Sequence, residues 1–432
     1  MKKLVKSDYL SRVEGEGGFI IEIKDDRVVK LNLRIFEAPR FFEAFLCRRP
    51  YADAIDFVAR ICGICPVAYQ MSAVHAIEKI FGVAVPPPLR ALRRLMYCGE
   101  WIESHALHIY LLQGPDFAGI ESAWADKKYR EIAKQGLRFK RLGNEILTVL
   151  GGRPVHPVSV RVGGFHKVPE KRRLSALLPG LQGAWKESLG VIGWAARLPF
   201  REDDRELELI SLNHEKEYPM NEGRIVSNRG LDLSVERFID TIQEYQVDYS
   251  TALHSGIKRD GAVHPYTVGP VARLSLNHEK LPDEIKDVLK KTDVLTPPQN
   301  ISMGIVARAA EISYAFYESI RIIREYEEVE EPFVLHEPRA GTAVWATEAP
   351  RGTLIHRYDL DEKGCVSSCT IIPPTSQNLA AIEGHLLEFV RSNIERPPDF
   401  LRKEAEKIIR DYDPCISCSA HLIEVKIDRR HA

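Results

Sequence analysis

The chain lacks any apolar run near the roughly 20 residues that a membrane-spanning helix needs, and Met1 to Ser11 carries charges but no hydrophobic signal core. The sequence therefore predicts a cytoplasmic protein without a membrane span, any export signal being left to a partner. Net charge is missing too: 60 Lys plus Arg stand against 61 Asp plus Glu, a balance of -1. Such a chain has no global field to attract nucleic acid or an anionic membrane, and neither is expected as a partner. The sequence contains no dinucleotide fingerprint, internal repeat or low-complexity linker. Eight cysteines in 432 residues are too few for a disulfide scaffold, yet four of them form two close pairs, which in a reducing compartment points to metal.

What is present reads as α+β and mostly helical. Gly18 to Phe36 alternates apolar and polar residues around Lys24-Asp25-Asp26-Arg27, a hairpin pattern. Tyr51 to Ile80 is helical but interrupted at Cys62 to Pro66. Pro86-Pro87-Pro88 then opens a helix toward Leu112 that puts His105 and His108 on one face. Further long helices are predicted from Asp126 to Leu150, ended by Gly151-Gly152, from Ser302 to Glu327 and from Ser376 to Ile394. Arg161 to Pro298 is mixed, with short strands near Ile225 and Tyr266. Length alone allows two or three domains, or one large one. The cysteine pairs lie at opposite ends, however, so a shared site makes the ends meet, and residues 1–432 are expected to form a single catalytic domain.

The pairs are Arg60-Ile61-Cys62-Gly63-Ile64-Cys65-Pro66 and Asp413-Pro414-Cys415-Ile416-Ser417-Cys418. A two-residue gap lets a turn direct two thiolates at one ion. Four thiolates suit tetrahedral zinc, an iron-sulfur cluster, or nickel with iron. Spacing alone favours a structural zinc protein. Zinc ribbons, however, bring their pairs together over a few tens of residues, and these pairs stand among residues that zinc does not need.

The two motifs, the first continuing into Val67-Ala68-Tyr69 and the second into Ser419-Ala420-His421, resemble those of the nickel-iron hydrogenase large subunit. Five more pieces resemble that family in its order: Arg12-Val13-Glu14-Gly15, Arg40-Phe41-Phe42-Glu43, Gly151 to Pro157, Glu348-Ala349-Pro350-Arg351-Gly352 and Pro374-Thr375-Ser376-Gln377-Asn378. The resemblance implies that family's fold, a bundle of long helices with small peripheral sheets. A non-catalytic relative, the complex-I-like electron-transfer scaffold, shares the fold but has lost the cysteines, and all four are present here.

The resemblance also implies roles. Cys62, Cys65, Cys415 and Cys418 would hold nickel, Cys65 and Cys418 being shared with an iron that carries carbon monoxide and two cyanides. Dihydrogen would be cleaved heterolytically and reversibly, with Cys415 as first base and Glu14 passing the proton onward. Arg351 would lie over the metals beside Pro350 and Asp413. Glu43 and His421 would ligate a second, hard metal, magnesium or iron. His105, His108 and His156 match positions near the site, but buried histidines satisfied by hydrogen bonds are as good a reading. Cys47, Cys98, Cys365 and Cys369 are expected to be buried packing thiols.

Two positions depart from many members, which have histidine where this chain has Tyr69 and an aspartate near the position of Ser104. The wording from Ile64 to Gln70 is most similar to the cytoplasmic NAD(P)-linked multisubunit hydrogenases, which include sulfhydrogenase alpha subunits. With no cysteines left for an iron-sulfur chain and no flavin or nicotinamide motif, electrons would leave through an iron-sulfur small subunit and further flavin and iron-sulfur subunits that react with NAD(P). Nickel-insertion proteins and a maturation protease are also implied; the protease would remove residues 422–432, unless the tail is retained with Leu422 to Ile427 as a strand.

Overall fold

The N-terminal alternation folds as predicted and gains a strand. In the computed structural model, which describes residues 2–203, 205–292 and 300–420, Lys2–Ser7 (β1), Gly17–Lys24 (β2) and Arg27–Ile35 (β3) form an antiparallel sheet in that order. Phe19, Ile21 and Ile23 point inward, and Asp25 and Asp26 turn the chain with φ of 45° and 56°, the twist a two-residue hairpin needs.

Tyr51–Ala59 (α1), Pro66–Phe81 (α2), Pro87–Leu107 (α3), Lys127–Gly151 (α4), Leu178–Ala195 (α5) and Gly304–Glu325 (α6) supply most of the main core. Asp126 caps α4 by accepting from Tyr129 N at 2.7 Å. The helix predicted to run toward Leu112 becomes a π-helical turn at His108–Gln113. Such turns recur at functional sites, and this one faces the C-terminal motif.

Gly341–Ala349 (β4), Gly352–Leu360 (β5) and Val366–Ile372 (β6) make a second antiparallel sheet that the sequence reading missed. Pro374–Ser392 (α7) and Pro398–Asp411 (α8) follow, the latter also unpredicted. The strand expected at Ile225 is Arg224–Ser227; the one expected at Tyr266 stops at His264, since Pro265 has no N–H for the ladder. The architecture is therefore mostly helical with small two- and three-stranded sheets, as expected.

A second core packs β2 and β3 against α7 and α8. The four paired cysteines belong to the first core, whereas Ile416 and Ala420 belong to the second. The C-terminal motif thus lies at the seam between them.

Candidate metal centre

Each cysteine pair is carried by a loop that turns into a helix. Cys65 precedes Pro66, which opens α2 where its missing N–H is no loss. Glu100 on α3 accepts from Val67 N at 2.6 Å and Ala68 N at 3.2 Å, so a buried carboxylate caps the helix behind Cys65. Burial pushes the Glu100 carboxyl well above the usual carboxylate range. At the other end Asp413, with φ 52°, turns the chain out of α8, and Cys415 opens a last helical turn, Ile416–Ser419. Thr375 at the start of α7 accepts from Cys415 N at 3.0 Å through its hydroxyl.

The ends are then laced together. Ile416 N donates to Glu14 O at 3.0 Å and Ser417 N to Glu14 Oε2 at 3.1 Å. Gly15 permits this approach: with φ 87°, a Cβ there would stand 2.6 Å from Glu37 Oε2 and 2.7 Å from Ile416 Cβ. Arg40 adds hydrogen bonds to the carbonyls of Ile61, at 2.8 Å, and Ser417, tying the first cysteine loop to the last.

These constraints bring together thiols that the sequence separates by hundreds of residues. Cys62 and Cys415 Sγ are 3.4 Å apart, Cys65 and Cys418 3.7 Å, and Cys415 and Cys418 2.8 Å, with all four inside 4.8 Å. None is more than 3% exposed. The amides of Ile64 and Cys65 donate to Cys62 Sγ at 3.3 and 3.4 Å, and Glu14 Oε2 accepts from Cys415 Sγ at 3.1 Å. Burial pushes the Cys415 and Cys418 thiols up, while hydrogen bonds from Cys415 and then Cys418 draw Cys62 down. Four buried thiols this close cannot all ionise without a cation among them, and four soft sulfurs suit a soft or borderline metal. The donor set fits.

Arg351 lies at the tip of the β4–β5 hairpin, yet is only 2% exposed because that tip is driven into the seam. Its Nε donates to Asp413 O at 2.9 Å and its Nη2 to Asp413 Oδ1 at 3.1 Å, leaving Nη1 without a protein partner. Burial disfavours this cation, and the charges of Asp413, Cys415, Cys65 and Cys62 more than offset it. The motif Pro374–Asn378 secures the hairpin: Gln377 Nε2 donates to Thr353 O at 2.7 Å, and Asn378 exchanges two bonds with Val268. Tyr69 and Ser104 are both buried, and the Tyr69 phenol is pushed up by burial and then by the nearby Cys418.

Of the three histidines, His105 and His108 are buried and His156 is half-buried. His105 Nε2 faces Glu311 at 2.8 Å and His108 Nε2 donates to Arg410 O at 2.9 Å; burial draws them down to about 4 and about 3. His156 Nδ1 lies 2.6 Å from Ala59 O. Glu43 is buried and its Oε1 accepts from Ile371 N at 2.6 Å, while His421 and the tail 422–432 lie outside the described residues. Cys98 and Cys369 are buried as expected, but Cys47 is exposed and Cys365 half-buried. Both flank a pairing of the chain leading into α1 with the turn that opens β6, marked by Arg48 N to Val366 O at 2.7 Å and Tyr51 N to Gly364 O at 2.9 Å. Glu100 and Arg308, which reaches Asp413 Oδ2 at 3.7 Å, were not anticipated. The sequence signal for either was no more than a charged residue within a helical stretch.

The sequence model of the family described as nickel-dependent hydrogenase matches residues 40–141. Sulfhydrogenase 1 subunit alpha of Pyrococcus furiosus is 33% identical over 97% of this chain and 98% of its own length. Sulfhydrogenase 2 subunit alpha of the same organism is 32% identical, covering 98% of this chain and 100% of its own. Among solved structures, a NAD+-reducing NiFe hydrogenase in the hydrogen-reduced state superposes with a TM-score of 0.86 at 27% identity, covering 97% of this chain and 99% of that one.

Proposed function

The chain belongs to the nickel-dependent hydrogenase family as a catalytic large subunit, and from that premise we propose that it oxidises dihydrogen reversibly at a nickel-iron centre held by Cys62, Cys65, Cys415 and Cys418. The observation that carries this reading is the convergence of four buried thiols, from opposite ends of the chain, within 4.8 Å. When bound, the centre, with carbon monoxide and two cyanides on iron, supplies the redox and Lewis-acid chemistry for heterolytic cleavage. Cys62, Cys65, Cys415 and Cys418 would hold the centre through their thiolates.

The chain's own groups handle the proton. Cys415 Sγ accepts it and passes it to Glu14 Oε2, 3.1 Å away, on a partly exposed residue that leads outward. Arg351, held on Asp413, keeps a guanidinium beside the thiols with one N–H pair uncommitted, a donor set in place before reaction. Glu43, with His421, is assigned to a second metal, magnesium or iron.

Electrons are proposed to leave through an iron-sulfur small subunit and then flavin and iron-sulfur subunits that reduce NAD(P), in a cytoplasmic complex matured by nickel-insertion proteins and a protease. The sulfhydrogenase names and the NAD+-reducing neighbour support this assignment. No helix among the described residues is long and apolar enough to cross a membrane. Residues 1–432 are taken to act as one catalytic unit.

An infrared spectrum of the purified protein, with its metal content measured in parallel, tests the site, because bound carbon monoxide and cyanide absorb where no amino acid does. One carbonyl and two cyanide bands are expected. An empty window with zinc in the four cysteines would refute the reading.

A further inference from the structure

Asp413 has two carboxylate oxygens, and the structure offers each a different cation. Arg351 takes Oδ1 at 3.1 Å together with the main-chain carbonyl at 2.9 Å. Oδ2 accepts no hydrogen bond and faces Arg308 Nη2 at 3.7 Å. Arg308 is 1% exposed near the start of α6, and its Nε and Nη1 have no hydrogen-bond partner. The chain makes room for it: a Cβ on Gly304, one turn earlier, would stand 2.7 Å from Arg308 Nη1.

A buried guanidinium with an unfilled fork is costly, and a core aliphatic residue would fill the same place at less cost. The neighbouring acid does not account for it. Glu311 is already committed to Arg273 through two bonds of 2.8 Å and to His105 at 2.8 Å. Among the described residues, Asp413 is the ion-pair partner left to Arg308. Without a cation at Oδ2, the whole carboxylate charge would fall on Arg351, whose planar fork pairs most strongly when two parallel N–H groups meet both oxygens. That pairing would engage Nη1, the group that the present arrangement leaves uncommitted.

We propose that Arg308 is a positioning residue: it holds Asp413 Oδ2, so that Arg351 engages Asp413 only through Nε and Nη2 and keeps Nη1 available beside the four thiols. The inference rests on the reading of those thiols as a nickel-iron site.

The test uses the assembled, nickel-loaded enzyme with Arg308→Lys and Arg308→Gln, measuring nickel content, carbonyl and cyanide band positions, and kcat and KM for dihydrogen. Lysine keeps the charge at Oδ2 and should leave the bands near their wild-type positions. Glutamine, at wild-type nickel content, should displace the carbonyl band and lower kcat by about tenfold or more, the scale of one lost charge-assisted contact. Glutamine protein with wild-type bands and kcat overturns the proposal, as does lysine protein that falls as far as glutamine. Should the glutamine variant load no nickel, the lysine variant decides: wild-type bands support the charge role, and failure to load overturns it. A wild-type spectrum without carbonyl or cyanide bands refutes the reading of the site itself, which separates the two failures.

Discussion

Removing Glu100 isolates the contribution of the helix that carries Cys65. Of the first N–H groups of α2, Pro66 has none, and those of Val67 and Ala68 are satisfied by the two Glu100 oxygens at 2.6 and 3.2 Å. In Glu100→Ala both amides lose their acceptor inside the core, at about 1 to 3 kcal/mol each. Relief of the buried carboxyl, whose proton affinity burial has raised, offsets part of this. A net local cost of about 3 kcal/mol follows, or about a hundredfold faster amide exchange in the first turn of α2. Glu100→Gln should fall between, because its amide group supplies one acceptor and sets a donor against the second N–H. Hydrogen-deuterium exchange resolved to the peptide spanning Pro66 to Phe81, with nickel content measured in parallel, reads both the cap and its effect on the site. Wild-type exchange at Val67 and Ala68 in the alanine variant, with nickel fully retained, would show that the carboxylate is not the cap.

Glu14→Gln should retain nickel and both band types while slowing exchange of dihydrogen with solvent protons by about a hundredfold or more; unchanged exchange removes Glu14 from the proton route. Arg273, which donates to Glu311, Glu348 and the carbonyls of Ala349 and Pro350, fixes the strand end before Arg351. Arg273→Met strands two buried carboxylates and should cost about 3 to 5 kcal/mol, read as a lowered thermal midpoint together with lost activity. A wild-type midpoint would contradict that account. Burial draws His75 to about 4 and His385 to about 3, both below the ordinary 6.5. The unfolded chain therefore binds these protons first, so their contribution is present above pH 6.5 and lost as pH falls toward 4, at about 3 kcal/mol per pH unit for the pair. The double variant His75→Gln, His385→Gln should flatten the pH dependence of the unfolding midpoint in that window, and an unaltered slope would refute it.

Elements with a strong period were legible in the sequence. The β2–β3 hairpin, α3, α4 and α6 follow their apolar spacing, and their boundaries move only where a cap or a π-turn intervenes. The β4–β5 hairpin was missed because its strands are buried on both faces and carry no clean two-residue alternation. Helix α8 was missed because its polar face is dense with Arg and Glu, a composition shared with surface loops.

The cysteines were legible because two thiols at that spacing have few other uses, whereas the groups that hold them in place carry no such mark. Glu100 and Arg308 each stand in a helix among other charged residues, and a charge in such company reads in sequence as part of a solvated face. What makes either one informative is its partner: two amide groups of α2 for Glu100, and for Arg308 an aspartate more than a hundred residues away. A residue that ligates is recognised by its type. One that orients a ligand is recognised by the group it faces, and the fold alone sets which group that is.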